Sequence, residues 1–488
     1  MENTLDISKE DFEFVQKDEK IFDEKFKTKN IGFFGDALRR FATNKASIVA
    51  GILILIIVLF AIIAPATSNY DSSFNDTYYK YVSPKSNLFS SLGWDGCTTK
   101  TINSKSYKQY TEYYPIGTVV SAEKAGKTVT GSQNYVVKLD TYYSSVGYVT
   151  VSLSESEWTS FTAWAVENEY ITQEQIDNNY ISYVNNDYGY DKNQYELIAP
   201  YASSVGINNC SSDDWAHSET EGHESDWAIY DTTAGGQYKV RVNYYEYFQY
   251  VYGCEPCFIF GTNNLGQDLF SRLGLALRFS LILGVIVAFV NIAVGILIGS
   301  IEGYYGGVVD LAIERIIELL TSVPMIVVTS LIKFHHQPNT AGEKMALLCF
   351  VFFLTGWTGI AATVRSQFYR YKGHEYVLAA RTLGAGDRRI IFRHILPNAI
   401  GPVITQAVLM IPSVIFSEAS LAYLNIIDFT YGEIASVGSL LSSGQSCMTT
   451  APFVLIFPSI FVCVLMVSFN IFGNGLRDAF NPSLRGAE

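Results

Sequence analysis

Six stretches of this 488-residue chain are apolar and long enough to cross a lipid bilayer, which takes roughly 20 residues of helix. Residues 47–64 hold no charged side chain, and Pro65 is placed to end the helix they predict. Five further runs lie near residues 280–298, 316–332, 345–364, 399–424 and 453–472. A chain built around six such runs is an all-α membrane protein first. Whatever else it carries must hang between them.

What it carries is concentrated in one place. Hydrophobic residues make up 49% of the chain and charged residues 17%, a membrane-like mixture diluted by something soluble. Residues 70–260 are rich in Tyr, Asn, Ser, Asp and Glu. Roughly 24 acids face 11 bases there, which accounts for the net charge of −13. The acidic total therefore describes one insertion and points to no nucleic-acid partner. Six spans place both termini on the same side of the membrane. Arg39, Arg40 and Lys45 precede the first span, and Arg365, Arg370, Lys372, Arg381, Arg388, Arg389 and Arg393 follow the fourth. Basic residues collect on the cytoplasmic side, so both termini are expected there and residues 70–260 outside.

The organisation expected is a cytoplasmic tail with an interfacial helix (1–46), a first transmembrane helix (47–69), an extracellular inserted domain (70–260) and a five-helix core (261–488). That core holds a cytoplasmic loop at 365–398. In the tail, Ile31, Phe33, Phe34, Ala37, Leu38 and Phe41 fall near helical spacing, with Arg39, Arg40 and Lys45 on the other side. The insertion is too long for a connecting loop. Residues 128–154 and 237–252 alternate in strand fashion, while 155–180 has helical character with a break near Thr172, so an α+β fold is expected. Four of the seven cysteines, Cys97, Cys210, Cys254 and Cys257, fall in this insertion. An oxidising location makes them candidates for two disulfides, with three pairings open. Cys254 and Cys257 have the spacing of a redox or metal pair, but no second pair or histidine cluster accompanies them, and no metal site is expected.

The loop at 365–398 is the most distinctive polar segment. Within it EYVLAARTLGAGDRRIIFRHILPN (375–398) contains two short helical signals. Gly384 is placed as a C-terminal cap, Asp387 as the cap of a second turn, and Pro397 as its stop. Elsewhere GTNNLGQDLFSR (261–272) reads as a capped junction in which Asp268 and Arg272 are spaced to pair. GYYGGVVD (303–310) is a glycine-rich turn with no Lys-Ser or Lys-Thr pair to make it a phosphate loop. Gly126-Lys127-Thr128 lacks the required upstream glycine, where Ser121 stands, and Leu441 to Gln445 only imitates an ATPase signature. The chain has no nucleotide site of its own. Polar residues within spans are few: Asn291, Glu318, Thr321, Gln406, Glu418 and Asn470. That is too sparse for the charged relay of an ion-driven carrier. Pro324, Pro412 and Pro458 permit kinks.

With these residues placed, the chain resembles the permease subunits of type I ATP-binding-cassette importers, specifically the C-type subunit of oligopeptide and dipeptide importers. The family's loop pattern is Glu-Ala-Ala, three residues, Gly, nine residues, Ile, any residue, Leu-Pro. Ala379, Ala380, Gly384, Leu396 and Pro397 hold that spacing, with Leu378 at the Glu position and His394 at the Ile position. GTNNLGQDLFSR, GYYGGVVD and the tail NGLRDAFNPSLRG are similar to family segments in the same order. The resemblance covers about residues 31–66 and 261–486, and the long insertion departs from it.

The resemblance implies a type I importer permease fold of six transmembrane helices and a non-catalytic subunit forming half of a translocation pore. It implies coupling to a cytoplasmic ATPase through Ala379, Ala380, Gly384, Ala385, Asp387 and Pro397. Arg381, Arg388, Arg389 and Arg393 are left as contacts to that partner or to anionic membrane lipid. The partners implied are a second homologous permease, two ATPase subunits, an extracellular substrate-binding protein and a peptide substrate. No cofactor is expected in this chain, ATP and Mg belonging to the ATPase subunits, and the setting is a bacterial plasma membrane. Two alternatives stand beside this. One is a nickel importer of the same family, with His335 and His336 as the only histidines near a span edge. The other is a membrane-anchored extracellular sensor or binding protein.

Overall fold

The structure is a computed structural model and describes residues 33–71, 73–87, 89–112, 114–115, 117–127, 133–170, 172–173, 180–181, 228–232, 237–336, 338, 340–427 and 435–480. Helix α1 (Phe33–Thr43) is followed after one residue by α2 (Lys45–Thr67). Asn44 separates them as an N-cap, its side chain accepting from the backbone N–H groups of Ala46 and Ser47. Pro65 does not end α2, which runs through it to Thr67. A proline in a last turn removes one hydrogen bond, and Pro65 instead packs against the bare backbone of Gly274.

The inserted region holds two sheets. Strands β1 (Cys97–Asn103), β2 (Val119–Lys127) and β3 (Gln133–Asp140) form an antiparallel sheet in the order β1-β3-β2, with α3 (Ser104–Glu112) between β1 and β2. After the short α4 (Thr141–Ser144), strands β4 (Tyr148–Ser154), β5 (Tyr180–Ile181), β6 (Ala228–Thr232) and β7 (Gln237–Asn243) form a second sheet in the order β4-β7-β6-β5. Helix α5 (Glu155–Glu167) begins with a capping box between Ser154 and Glu157. Two sequence expectations change here. The alternation over 128–154 breaks at Asp140, which caps α4 and sends the two halves to different sheets. The alternation over 237–252 ends at Asn243, whose side chain accepts from Tyr245 N–H and starts helix α6 (Tyr244–Tyr252). Tyr and Phe at 244 and 248 serve a helix face as well as a strand face, and the cap decides. The core that results is aromatic: Tyr70, Tyr79, Tyr142, Phe161, Phe248 and Phe258 are all buried together.

The remaining helices are α7 (Leu269–Tyr305), α8 (Gly307–Ser322), α9 (Met325–His335), α10 (Ala341–Tyr371), α11 (Glu375–Thr382), α12 (Asp387–Arg389), α13 (Leu396–Tyr423), α14 (Val437–Ser446) and α15 (Phe453–Phe480). Among the described residues five helices are long and apolar enough to cross a membrane, or six if α8 and α9 together count as one. The third apolar run is thus no straight span. It bends by 71° between α8 and α9, where Pro324 offers no N–H to continue the ladder. Few side chains of the bent pair are covered: Thr329 is its only buried residue among those described.

Two packing devices hold the long helices together. Ile57, Ala61, Leu273, Leu277, Ile415, Leu465 and Phe469 join α2, α7, α13 and α15 in one apolar cluster. Helix α7 meets α10 across Gly295, Gly299 and Gly303, one turn apart on one face. A Cβ at Gly299 would lie 2.3 Å from Ala361 O, and one at Gly303 2.5 Å from Phe368 Cβ. Three glycines in register let two backbones touch, the small-residue packing that stands in for hydrophobic driving force within lipid.

The inserted region leaves and rejoins the bundle at one point. Asp268 caps α7, its carboxylate accepting from the N–H groups of Phe270 and Ser271, and Ser68 Oγ at the end of α2 donates to Asp268 Oδ2 at 2.9 Å. Burial pushes the Asp268 carboxyl up to about 6, against the opposing pull of those three hydrogen bonds. An acid raised in the folded state stabilises most when protonated. Its contribution is complete below the ordinary Asp range and is lost as pH rises toward 6. The wild-type protein is therefore expected to lose thermal stability between pH 4 and 6.5, and Asp268→Asn, which cannot ionise, is expected to flatten that part of the profile. Parallel melting curves of the two proteins across that range would remove Asp268 as the source.

Candidate functional site

The exposed segment between α10 and α13 is built from two parts that the sequence makes for different purposes. One part anchors. Val377, Ile390, Ile391 and Ile395 are buried in a cluster with Tyr304, Val364, Phe368, Ala399 and Val403, which roots the segment on α7, α10 and α13. The other part projects. Leu378, Leu383 and Phe392 are large apolar side chains left open, and Leu383 at the tip is 88% exposed.

The turn between the two short helices closes in a Schellman motif. Gly384 N–H donates to Arg381 O at 3.0 Å and Ala385 N–H to Ala380 O at 3.0 Å, while Gly384 adopts φ +81°. Ala379 O accepts from Leu383 N–H, and its methyl is exposed. A Cβ added at Gly384 would meet nothing within 4 Å, so glycine is required there by backbone conformation and not by crowding.

Two expectations about this segment are revised. Asp387 does not cap its helix: Gly386 occupies the N-cap position, and the Asp387 carboxylate accepts instead from Tyr304 Oη at 2.6 Å and Tyr305 Oη at 3.3 Å. Pro397 does not stop the helix either. From Asp387 the chain is helical through a π-helical stretch, Ile390–Ile395, and onward as α13. Proline sits in the first turn of α13, where the wider π turn just before it accommodates the missing N–H. The projecting segment is therefore the direct N-terminal extension of the fifth apolar run.

The arginines divide. Arg381, itself exposed, donates to Tyr304 Oη at 3.2 Å and lies over its ring, which ties it to the end of α7. Arg388, Arg389 and Arg393 are exposed, line a shallow groove with Asp387 and Phe392, and have no acidic partner among the described residues.

Polar residues within the spans serve helix contacts. Asn291 donates to Phe352 O at 3.3 Å and sits against Gly356, Gln406 accepts from Thr363, and Asn470 donates to Met466 O. Glu418 is fully buried and accepts from Ser280 Oγ at 2.7 Å and Ser436 Oγ at 2.5 Å, joining α7, α13 and the lead into α14. Glu318 pairs with Arg315 on the exposed face of α8.

In the inserted region Cys97, Cys254 and Cys257 are free thiols, which is not the disulfide arrangement their location led us to expect; Cys210 lies outside the described residues. The Cys97 and Cys257 thiols are each directed at a backbone carbonyl, Asp95 O and Lys85 O respectively. Burial pushes the Cys97 thiol up to about 11 and raises Cys254 and Cys257, which keeps all three in the unreactive thiol form near neutral pH. His335 and His336 are exposed at the end of α9, and the His335 ring is held by Leu331 O at 3.0 Å.

Sequence reasoning missed the anchor residues Val377 and Ile391, the exposed Leu383 and Phe392, and the tyrosines that hold Asp387. The signal was present as apolar residues flanking every turn of a segment noticed for its charge. The glycine stripe of α7 was also legible as three glycines at four-residue intervals.

Two family models match: the binding-protein-dependent transport system inner membrane component over residues 291–486, and the N-terminal TM domain of oligopeptide transport permease C over residues 32–84. The oligopeptide transport system permease protein OppC of Bacillus subtilis is 38% identical over 226 residues, which is 46% of this chain and 72% of that protein. The protein of the same name from Escherichia coli is 38% identical over 227 residues, with the same coverage. The dipeptide transport system permease protein DppC of Bacillus subtilis is 37% identical over 227 residues, 46% of this chain and 69% of that one. A solved chain of the MetNI methionine ABC transporter overlays with TM-score 0.35 and 15% identity, covering 43% of this chain and 96% of that one, a likeness too weak to carry an argument. Matches of this extent on both sides of the inserted region settle the family: the chain belongs to the inner-membrane permeases of binding-protein-dependent transport systems, alongside the oligopeptide and dipeptide permeases.

Proposed function

We propose that this chain is the permease subunit of an ATP-driven peptide importer with the type I permease fold, forming half of the translocation pore with a second, homologous permease. The observation that carries the reading is the projecting segment itself. Leu383 and its neighbours expose apolar surface on a support rooted by four buried residues, which is how a docking element is made rigid. The partner that fits is a cytoplasmic ATPase subunit, one of two, with ATP and Mg held there and none in this chain. Closure of the ATPases on ATP would displace the segment, and its continuity with α13 would pass that motion into the bundle. Both termini then face the cytoplasm of a bacterial cell. Residues 70–260 face outward, toward a binding protein that delivers peptide.

Leu383→Asp tests the docking. The substitution places a charge where an apolar tip is to be desolvated and cannot disturb the core, since Leu383 touches little of it. The wild-type chain, tagged and extracted from its own membrane in mild detergent, is expected to carry ATPase activity with it. The variant should carry about tenfold less, the equivalent of 1.4 kcal/mol at the interface. Equal ATPase activity in the two preparations would sink the assignment of this segment as the docking element.

A further inference from the structure

The glycine-rich turn GYYGGVVD lies at the cytoplasm-facing end of α7 by the reading above, and nothing so far gives it work. The covalent chain ties the coupling segment to α10 on one side and to α13 on the other. Helix α7, and the bent pair α8–α9 that follows it, has no such tie. Its attachment to the segment is non-covalent, and it runs through this turn.

Beside the apolar cluster around the Tyr304 ring, a set of directional hydrogen bonds makes that attachment. Tyr304, 8% exposed, and Tyr305 place their hydroxyls on the two oxygens of Asp387, at 2.6 and 3.3 Å. Arg381 donates to the Tyr304 hydroxyl from the other side. A carboxylate gripped by two phenols accepts charge-assisted hydrogen bonds, stronger and more directional than neutral ones. Immediately beyond the tyrosines the backbone reverses at Gly306 and Gly307, with φ +64° and +57°. The reversal brings Asp310 of α8 onto Arg365 of α10, at 2.5 Å to Nε and 2.9 Å to Nη2, while Tyr369 donates to the same carboxylate. Lys372 at the end of α10 donates to Gly303 O. Glu302, wholly buried one turn before, lies 3.5 Å from Arg365.

We propose that Tyr304 and Tyr305 are positioning residues for coupling: they hold Asp387 so that displacement of the coupling segment also moves the end of α7, and the Asp310–Arg365 pair carries the same displacement between α8 and α10. Without the tyrosine grip the segment is held to α7 only through the apolar cluster around the Tyr304 ring, which can slide, and the end of α7 and the bent pair beyond it follow the segment less fully. The inference rests on the coupling reading and adds to it the route into the second and third spans.

The test uses the assembled complex in proteoliposomes, scored as peptide taken up per ATP hydrolysed. Tyr305→Phe, at a half-exposed ring, removes one hydroxyl without threatening the fold, and Tyr304→Phe removes the shorter bond. Together they are expected to lower uptake per ATP about tenfold, the equivalent of one lost charge-assisted hydrogen bond, while hydrolysis continues. Asp387→Ala should cost the same. Combining Asp387→Ala with Tyr304→Phe should cost no more than Asp387→Ala alone, because the bond that Tyr304→Phe removes is already gone; purely structural defects at separate sites would add. Asp387→Asn, which keeps a carbonyl acceptor, should restore part of the coupling. Undiminished coupling in the double tyrosine variant, or additive losses in the cycle, overturns the proposal. The coupling reading itself survives that outcome if Gly384→Trp in the same complex abolishes uptake, and falls with it if Gly384→Trp transports normally.

Discussion

Gly384→Trp is expected to leave the chain in the membrane at normal level and to abolish peptide uptake. Two effects combine. The C′ position of the Schellman turn holds φ +81°, and an L side chain in that region costs about 1–2 kcal/mol, roughly five- to thirtyfold in the population of the native turn. The bulk then acts outward. No described residue lies within 4 Å of a Cβ there, so the indole meets whatever docks on the segment and not the permease core. Gly384→Asn separates the contributions: asparagine tolerates the left-handed region and is small, so most transport should remain. Uptake of labelled peptide by proteoliposomes is the measurement, with membrane content as the control. Wild-type uptake in Gly384→Trp would remove the segment from the coupling path.

Gly299→Leu should have the opposite signature, a chain that fails before it can be assayed. A Cβ at Gly299 would stand 2.3 Å from Ala361 O and 2.9 Å from Ala361 Cα, both backbone atoms of α10. No rotamer change relieves that contact. Overpacking costs about 1–3 kcal/mol where side chains can adjust. Here α7 and α10 must separate along the whole glycine stripe, and the loss should exceed that range. Gly342→Leu, at the exposed first turn of α10 with nothing within 4 Å, provides the comparison and should be nearly silent. Detergent-solubilised chains, followed by thermal unfolding with size-exclusion readout, should show Gly299→Leu aggregated or melting far below Gly342→Leu. Equal melting would mean the two helices do not meet through their glycines.

Most of the helical architecture was readable because lipid imposes a length and a composition on any spanning segment. What the hydropathy could not show was the bend between α8 and α9. An apolar run looks the same whether straight or broken, and Pro324 marks only where a break can occur. The strand reading of residues 244–252 failed for a related reason. Tyr and Phe favour either structure, and one hydrogen bond from Tyr245 N–H to Asn243 chose the helix. At the projecting segment Gly384 was legible from spacing, because a Schellman turn is a local motif, whereas Asp387 and Pro397 fit a cap and a stop by residue type alone and serve as neither. The Tyr304–Asp387 contact was not legible. It joins residues 83 positions apart, and no local pattern encodes which tyrosine of a glycine-rich turn will face which acid.

Helix α7 is 37 residues long, about 55 Å at the rise of an α-helix, against roughly 30 Å of hydrocarbon. It is longer than the hydrocarbon is thick, and both of its ends are pinned: Ser68 holds the first through Asp268, and the two tyrosines hold the last through Asp387. A helix is stiff along its axis, so the rod is a pushrod with a bearing at each end. The inserted region hangs from one bearing and the coupling segment from the other. On the topology proposed above, a load taken up by the inserted region would reach the far side of the bilayer through a single rigid part, with no loop in between to absorb it.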